Sequence, residues 1–210
     1  MPAITMRRLI HIPVIHTAAD LGSLSEHVRA HYTKICGPTA WGQREHLVRA
    51  IWNDIQQNVD GLHLEYPKTR IYQDGLPICG FEERIVRELA QAGSSNHQLI
   101  LRLMERGATL MGTEDPGLLV QEYELQKRRL AQAAAGETAG EPAAGEEHPD
   151  EILQARDAFI SKRIADTLLA DETGLLFLGA LHQLDGLGST DVRIDLLGAD
   201  SHEAVRRPRP

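Results

Sequence analysis

Histidines and carboxylates carry the chemistry this sequence offers. His16 stands in HTAAD with Asp20 just beyond it, and Glu65 in HLEY. Thr113, Glu114 and Asp115 stand in MGTEDP, and His182 and Asp185 in GALHQLD. Neutral imidazoles and ionised carboxylates converging from separate segments are the ligands of zinc, manganese or iron. His16, Glu65, Glu114 and His182 form the candidate set for one such divalent metal. Glu65 or Glu114 could instead act as a general base on a metal-bound water. Each residue also has an ordinary explanation. His16 can be a surface loop residue, and Glu65 can pair with Lys68 or Arg70. Glu114 and Asp115 suit a helix N-terminus electrostatically, and His182 can cap or pack at a turn. HExxH and GxSxG are absent, so spacing alone is not specific.

Two further segments stand out. RIYQDGLPICG combines Tyr72, Gln73 and Asp74 with Gly75 and Pro77, which fix a bend. It is either a binding loop or a plain crossover turn. GSSNH, 93–97, reads as a helix stop followed by an N-cap. Asn96 and His97 join a site only if that helix start faces it. Nucleophilic catalysis is poorly supported. Cys36 has His31 on the same helix but no base-orienting partner. Cys79 lies beside Gly80 and Glu82 at an expected helix start, a setting that can activate a thiol. Two cysteines make neither a disulfide framework nor a four-cysteine zinc site, and free buried thiols are the simpler reading.

The elements that must position these residues follow from periodicity. RLIHIPVI, 8–15, is β-branched and reads as a first strand. Helices are expected over 23–34 and 42–60, the second with Leu47, Val48, Ile51, Ile55 and Val59 on one face. GLHLEY, 61–66, alternates like a short strand, and the YPKTRIYQDG stretch after it reads as strand ends and loops. Helical spacing returns over 81–92, stopped by Gly93, and again after a cap at Ser94 or Ser95. ATLMG, 108–112, is strand-like. Pro116 opens a helix to about 131, and another starts near Asp150. GLLFLG, 174–179, is apolar on both faces, and VRIDLLG, 192–198, alternates. Strands separated by helices predict an α/β fold with a largely parallel sheet flanked by helices. Its ligand site is expected at the carboxyl ends of the strands, where these histidines and carboxylates fall. One domain spans 1–131 and 150–200. A flexible acidic Ala/Gly/Glu insertion occupies 132–149, and a polar tail 201–210.

The chain has 210 residues, 30 of them acidic against 22 Lys and Arg, with net charge −8. Its 42% hydrophobic and 25% charged content is that of a globular protein with a real core. Six acids and no Lys or Arg lie between Arg129 and Arg156, so the remainder is nearly balanced. No basic patch shows in the pattern, which argues against a nucleic-acid partner. No apolar run reaches the roughly 18 residues that span a bilayer. The N-terminal stretch is broken by His11, Pro13 and His16, so a first strand is expected there and no signal peptide. A reduced, cytoplasmic setting is the default.

The segment RDAFISKRIADTLLADETGLLFLGALHQL has Arg-Asp at a helix start, a helix, a hydrophobic strand and Gly-x-x-His. It resembles the closing segment of the TraB/Tiki-like superfamily, which includes erythromycin esterase-like and ChaN-like proteins. The resemblance implies an α/β fold and matching site residues at His16 or nearby, Glu65, Arg156 and His182. It also implies metal-dependent hydrolysis or ligand binding. It is specific over that segment and loose elsewhere, and HTAAD departs from the family's first motif by lacking a small pair before the histidine. The expectation is therefore a metal-dependent hydrolase. His16, Glu65, Glu114 and His182 surround the metal or its water, and Arg156 faces an anionic group or a developing oxyanion. The alternative is a non-catalytic protein of the same fold that binds a small ligand or serves a regulatory role. A small molecule or a peptide is the expected ligand, and a homo-oligomer fits either reading.

Overall fold

The apolar run ending at Gly179 builds the centre of the sheet. In the computed structural model, which describes residues 7–20, 22–135, 148–187 and 191–197, it forms a strand buried from Gly174 to Leu178. In chain order the strands are β1 (Arg7–Val14), β2 (Thr69–Gln73), β3 (Thr109–Met111), β4 (Thr173–Gly179) and β5 (Val192–Leu196). All pair in parallel, in the order β3-β2-β4-β1-β5. The helices are α1 (Ser25–Cys36), α2 (Ala40–Asp60), α3 (Glu82–Gln91), α4 (Ser95–Glu105), α5 (Pro116–Ala135) and α6 (Pro149–Thr167). The expected α/β architecture is present. Among the described residues no helix is long and apolar enough to cross a membrane.

Strand alternation sends side chains to two separate cores. On one face Ile10, Ile12, Val14, Ile71, Leu175 and Phe177 meet α2, α3 and α4 through Val48, Trp52, Ile55, Val86, Leu99 and Leu103. On the other, Leu9, Leu176 and Leu178 meet Ile160, Ile164 and Leu168 of α6 and its C-terminal end. The chain leaves β1 and β2 in one direction across the sheet and returns from β3 to β4 in the other. Right-handed crossovers must then put the helices on opposite faces, as found here. β2 and β4 are neighbours that the chain leaves in opposite directions. Their carboxyl ends are level, with Gln73 opposite Phe177, and Val14 of β1 is opposite Gly179. That crevice is a topological switch point, where α/β sheets bind ligands.

The second strand differs from the sequence expectation. GLHLEY is not a strand. Leu62 and Leu64 alternate because a loop drops both against the core edge with Tyr66. The ladder goes instead to TRIYQ, whose Thr, Ile and Tyr fit a pleated surface and pair with β4. α5 continues to Ala135, so the first residues of the expected 132–149 insertion are helical. Residues 136–147 of that insertion and the 201–210 tail lie outside the described residues. α6 opens with a capping box: the His148 side chain accepts from the Asp150 N–H, and Glu151 accepts from the His148 N–H. Arg156-Asp157 therefore lies two turns inside α6 and not at its start. Both cysteines are exposed, contrary to the buried reading.

Candidate functional site

Asp74 follows β2 directly, and the site is built around it. Its N–H donates to the Phe177 carbonyl at 2.9 Å, extending the β2–β4 ladder by one bond. Gly75 then turns the chain at φ +74°, a conformation a glycine adopts without strain. The Asp74 carboxylate points into the crevice. Oδ2 accepts the Gly179 N–H at 2.9 Å, and Oδ1 accepts from the Arg156 guanidinium at 2.8 Å. Two imidazoles approach it from either side. His16 Nε2 lies 3.6 Å from Oδ2, and His182 Nε2 lies 3.5 Å from Oδ1. Gly179 is small of necessity. A Cβ there would lie 2.9 Å from Asp74 Oδ2 and within 4 Å of both imidazoles.

Arg156 fastens the floor. Its Nε donates to Glu114 Oε2 at 2.5 Å, and its Nη2 to Glu114 Oε1 at 2.7 Å as well as to Asp74. Nη1 donates to Glu122 of α5. Glu114 Oε1 also accepts the Gly75 N–H at 2.6 Å. Four of the five guanidinium donors are thus engaged with carboxylates. Arg156 and Glu114 are both buried. Burial works against the cation, but Glu114, Asp74 and Glu122 outweigh it and hold the Arg156 pKa above its ordinary value. Burial pushes the Glu114 carboxyl up, and Arg156 opposes this only in part.

The two histidines differ in setting. His182 is deep, its side chain only 5% exposed, with Nδ1 2.5 Å from Asp157 Oδ1. Burial would lower its pKa, but Asp74 and Asp157 raise it above 6.5. His16 is 43% exposed, and Asp74 raises its pKa against partial burial. Burial would raise the Asp74 carboxyl. The two imidazoles outweigh burial and hold it well below the usual carboxylate range.

A second cluster anchors the His16 loop. Asp20 Oδ2 accepts from the Thr17 N–H at 2.6 Å and the Thr17 hydroxyl at 2.7 Å. Its Oδ1 accepts from the Ser94 hydroxyl and lies 3.2 Å from His97 Nδ1. Ser94 caps α4 by accepting from the His97 N–H. The carbonyls of Ile15 and His16 accept from Trp52 Nε1 at 3.0 Å and Arg44 at 3.2 Å.

The structure brings His16, Glu114, Arg156 and His182 together at one rim and leaves Glu65 out. Glu65 precedes β2, its side chain 79% exposed and 3.7 Å from Lys68. It sits at the amino end of a five-residue strand whose carboxyl end leads to Asp74, about 3.3 Å away per residue. The error follows from the misplaced second strand: the carboxylate at the real strand end is Asp74. Glu114 sits at the rim, but its oxygens face Arg156 and Gly75. Among the described residues no group of three or more His, Cys, Asp or Glu has metal-holding geometry. Asp115 caps α5, accepting from the Gly117 and Leu118 N–H groups at 2.7 and 3.1 Å. The sequence reading missed Asp157 and Glu122 altogether. The start of α4 does face the site loop, so His97 joins it through Asp20.

No family model, curated protein or solved structure matches the chain. The functional reading therefore rests on this geometry. The crevice opens into a cavity of about 580 Å³, within the range of small-molecule sites. Its floor is His16, Asp74, Arg156 and His182, and its sides come from α1, α5, α6 and the loop after β4.

Proposed function

We propose that this chain is a hydrolase in which His16 and His182 form an acid–base pair on either side of Asp74. The seat of His182 carries the reading. A carboxylate at Nδ1 fixes an imidazole's orientation and tautomer, and leaves Nε2 at the cavity floor for proton transfer. His16, the more exposed ring, takes a proton from water in its neutral form. The water oxygen bonds to the substrate carbonyl carbon, and the carbonyl electron pair moves to oxygen. Collapse of that intermediate expels the leaving group, which takes a proton from His182. Arg156 and Glu114 are positioning residues that fix Asp74 between the rings. Distant membership of the TraB/Tiki-like superfamily is part of the same proposal and rests on the sequence resemblance at Arg156 and Gly179-x-x-His182.

The test is hydrolysis of uncharged chromogenic esters by the wild type, His16→Gln and His182→Gln, with and without chelator or added zinc, manganese or iron. Each substitution is expected to lower kcat/KM by about 10²- to 10⁴-fold, with the chelator having no effect. Turnover that needs added metal would return the site to the metal-dependent mechanism expected from the sequence. Wild-type and variant rates that match would refute the acid–base roles. Ligand binding without any turnover would favour the non-catalytic alternative.

A further inference from the structure

Above the polar floor the cavity changes character. Leu24, Val28, Leu119, Tyr123, Leu153 and Leu181 line its sides. Leu181 is 79% exposed and Tyr123 38% exposed, so large apolar side chains stand at the mouth in contact with water. Apolar groups concentrated around a polar floor gain most from a ligand that covers them. The charges on the floor are spoken for. The Arg156 guanidinium faces Asp74, Glu114 and Glu122, and Arg44 donates to the His16 carbonyl and stacks over Trp41. His16 and His182 face Asp74, and His182 also faces Asp157. An added anion at the floor would meet Asp74 and Glu122, while Arg156 and both imidazoles already face carboxylates and Arg44 is held by a carbonyl and a ring.

We infer, resting on the hydrolase reading, that the substrate is an uncharged ester or amide with an apolar chain. Its scissile carbonyl sits on the cavity side of Asp74, within reach of both His16 and His182, and the chain runs up the wall of α1, α5 and α6. Each methylene laid on that wall is worth roughly a fourfold gain in affinity until the cavity is filled.

The experiment compares 4-nitrophenyl acetate, butanoate and hexanoate with the anionic hemisuccinate of the same phenol. In parallel, calorimetry measures binding of 1-butanol, 1-hexanol and the hexanoate anion. The expected result is a kcat/KM that rises about fourfold per methylene, with the hemisuccinate below the butanoate. 1-Hexanol is expected to bind more tightly than both 1-butanol and hexanoate. Leu153→Ser should flatten both chain-length slopes. Acetate turned over as fast as hexanoate, or hemisuccinate preferred, would overturn this inference and leave the hydrolase reading standing. If no ester is turned over and the alcohols still follow the slope, the hydrolase reading falls and the ligand preference survives. A flat alcohol series would remove the preference.

Discussion

Replacing Arg156 by Met removes the cation that joins Asp74, Glu114 and Glu122. The long apolar side chain fills much of the same space, so lost charge dominates the effect. Asp74 and Glu114 remain, 5% and 1% exposed, with their main counter-charge gone. Breaking a buried ion pair in this way costs about 3–5 kcal/mol. For a chain of this length that is roughly 6–20 °C in Tm. Urea denaturation and calorimetry at pH 7.5 read it directly. The loss carries a pH signature. Arg156 restrains the Glu114 pKa that burial pushes up, so in the variant Glu114 protonates more readily in the folded state than in the unfolded one. The variant's deficit should therefore shrink as pH falls toward 5. Adding Glu114→Gln keeps an acceptor for the Gly75 N–H, removes one stranded charge and should restore about 1 kcal/mol or more. A loss below about 1 kcal/mol at pH 7.5, or a deficit that grows in acid, would refute this reasoning.

Other consequences are independent of that one. Gly179→Ala puts a methyl 2.9 Å from the Asp74 carboxylate, so it should cost about 1–3 kcal/mol and lower esterase activity together; unchanged kinetics would contradict the close approach. His182 has a raised pKa in the folded state, so its stabilising contribution is complete below pH 6.5 and is lost as pH rises through the folded value. The stability gap between wild type and His182→Gln should accordingly be larger at pH 6 than at pH 9 in urea titrations. Ser94→Ala removes the α4 cap and a donor to Asp20, and should cost about 1–2 kcal/mol by the same measurement. Glu65→Ala should change stability by less than about 0.5 kcal/mol and leave activity unchanged, since the exposed Glu65 carboxylate faces Lys68 at the far end of the sheet.

Much of the frame was legible because burial and period agree. The apolar run to Gly179 is buried on both faces, and that alone identifies a central strand. Helix ends followed Ser94, Gly93 and Pro116 through local backbone chemistry. The rule that ligands meet strand carboxyl ends brought His16, Glu114 and His182 to one rim without any motif. The hub was hidden because two stretches competed for one strand. Leu62 and Leu64 alternate more cleanly than TRIYQ, and only pairing with β4 decides between them. An Asp-Gly turn one residue after an Ile-Tyr pair was the available signal for Asp74. Asp157 could not be read at all. It is one carboxylate on a helix rich in charge, and its meaning comes from a loop 25 residues later that folds back onto it. Nor could the engagement of Arg156, whose partners are spread over three other segments.

The central claim is that Asp74 organises His16 and His182 into one titrating unit. Following both imidazoles by NMR from pH 4 to 9, in wild type and in Asp74→Asn, tests it most directly. The account predicts that both rings titrate above 6.5 in the wild type. In Asp74→Asn, His16 should fall back to about its ordinary value, and His182 should fall less because Asp157 still holds its Nδ1. Two rings titrating independently at ordinary values in the wild type, or unmoved by the substitution, would contradict it.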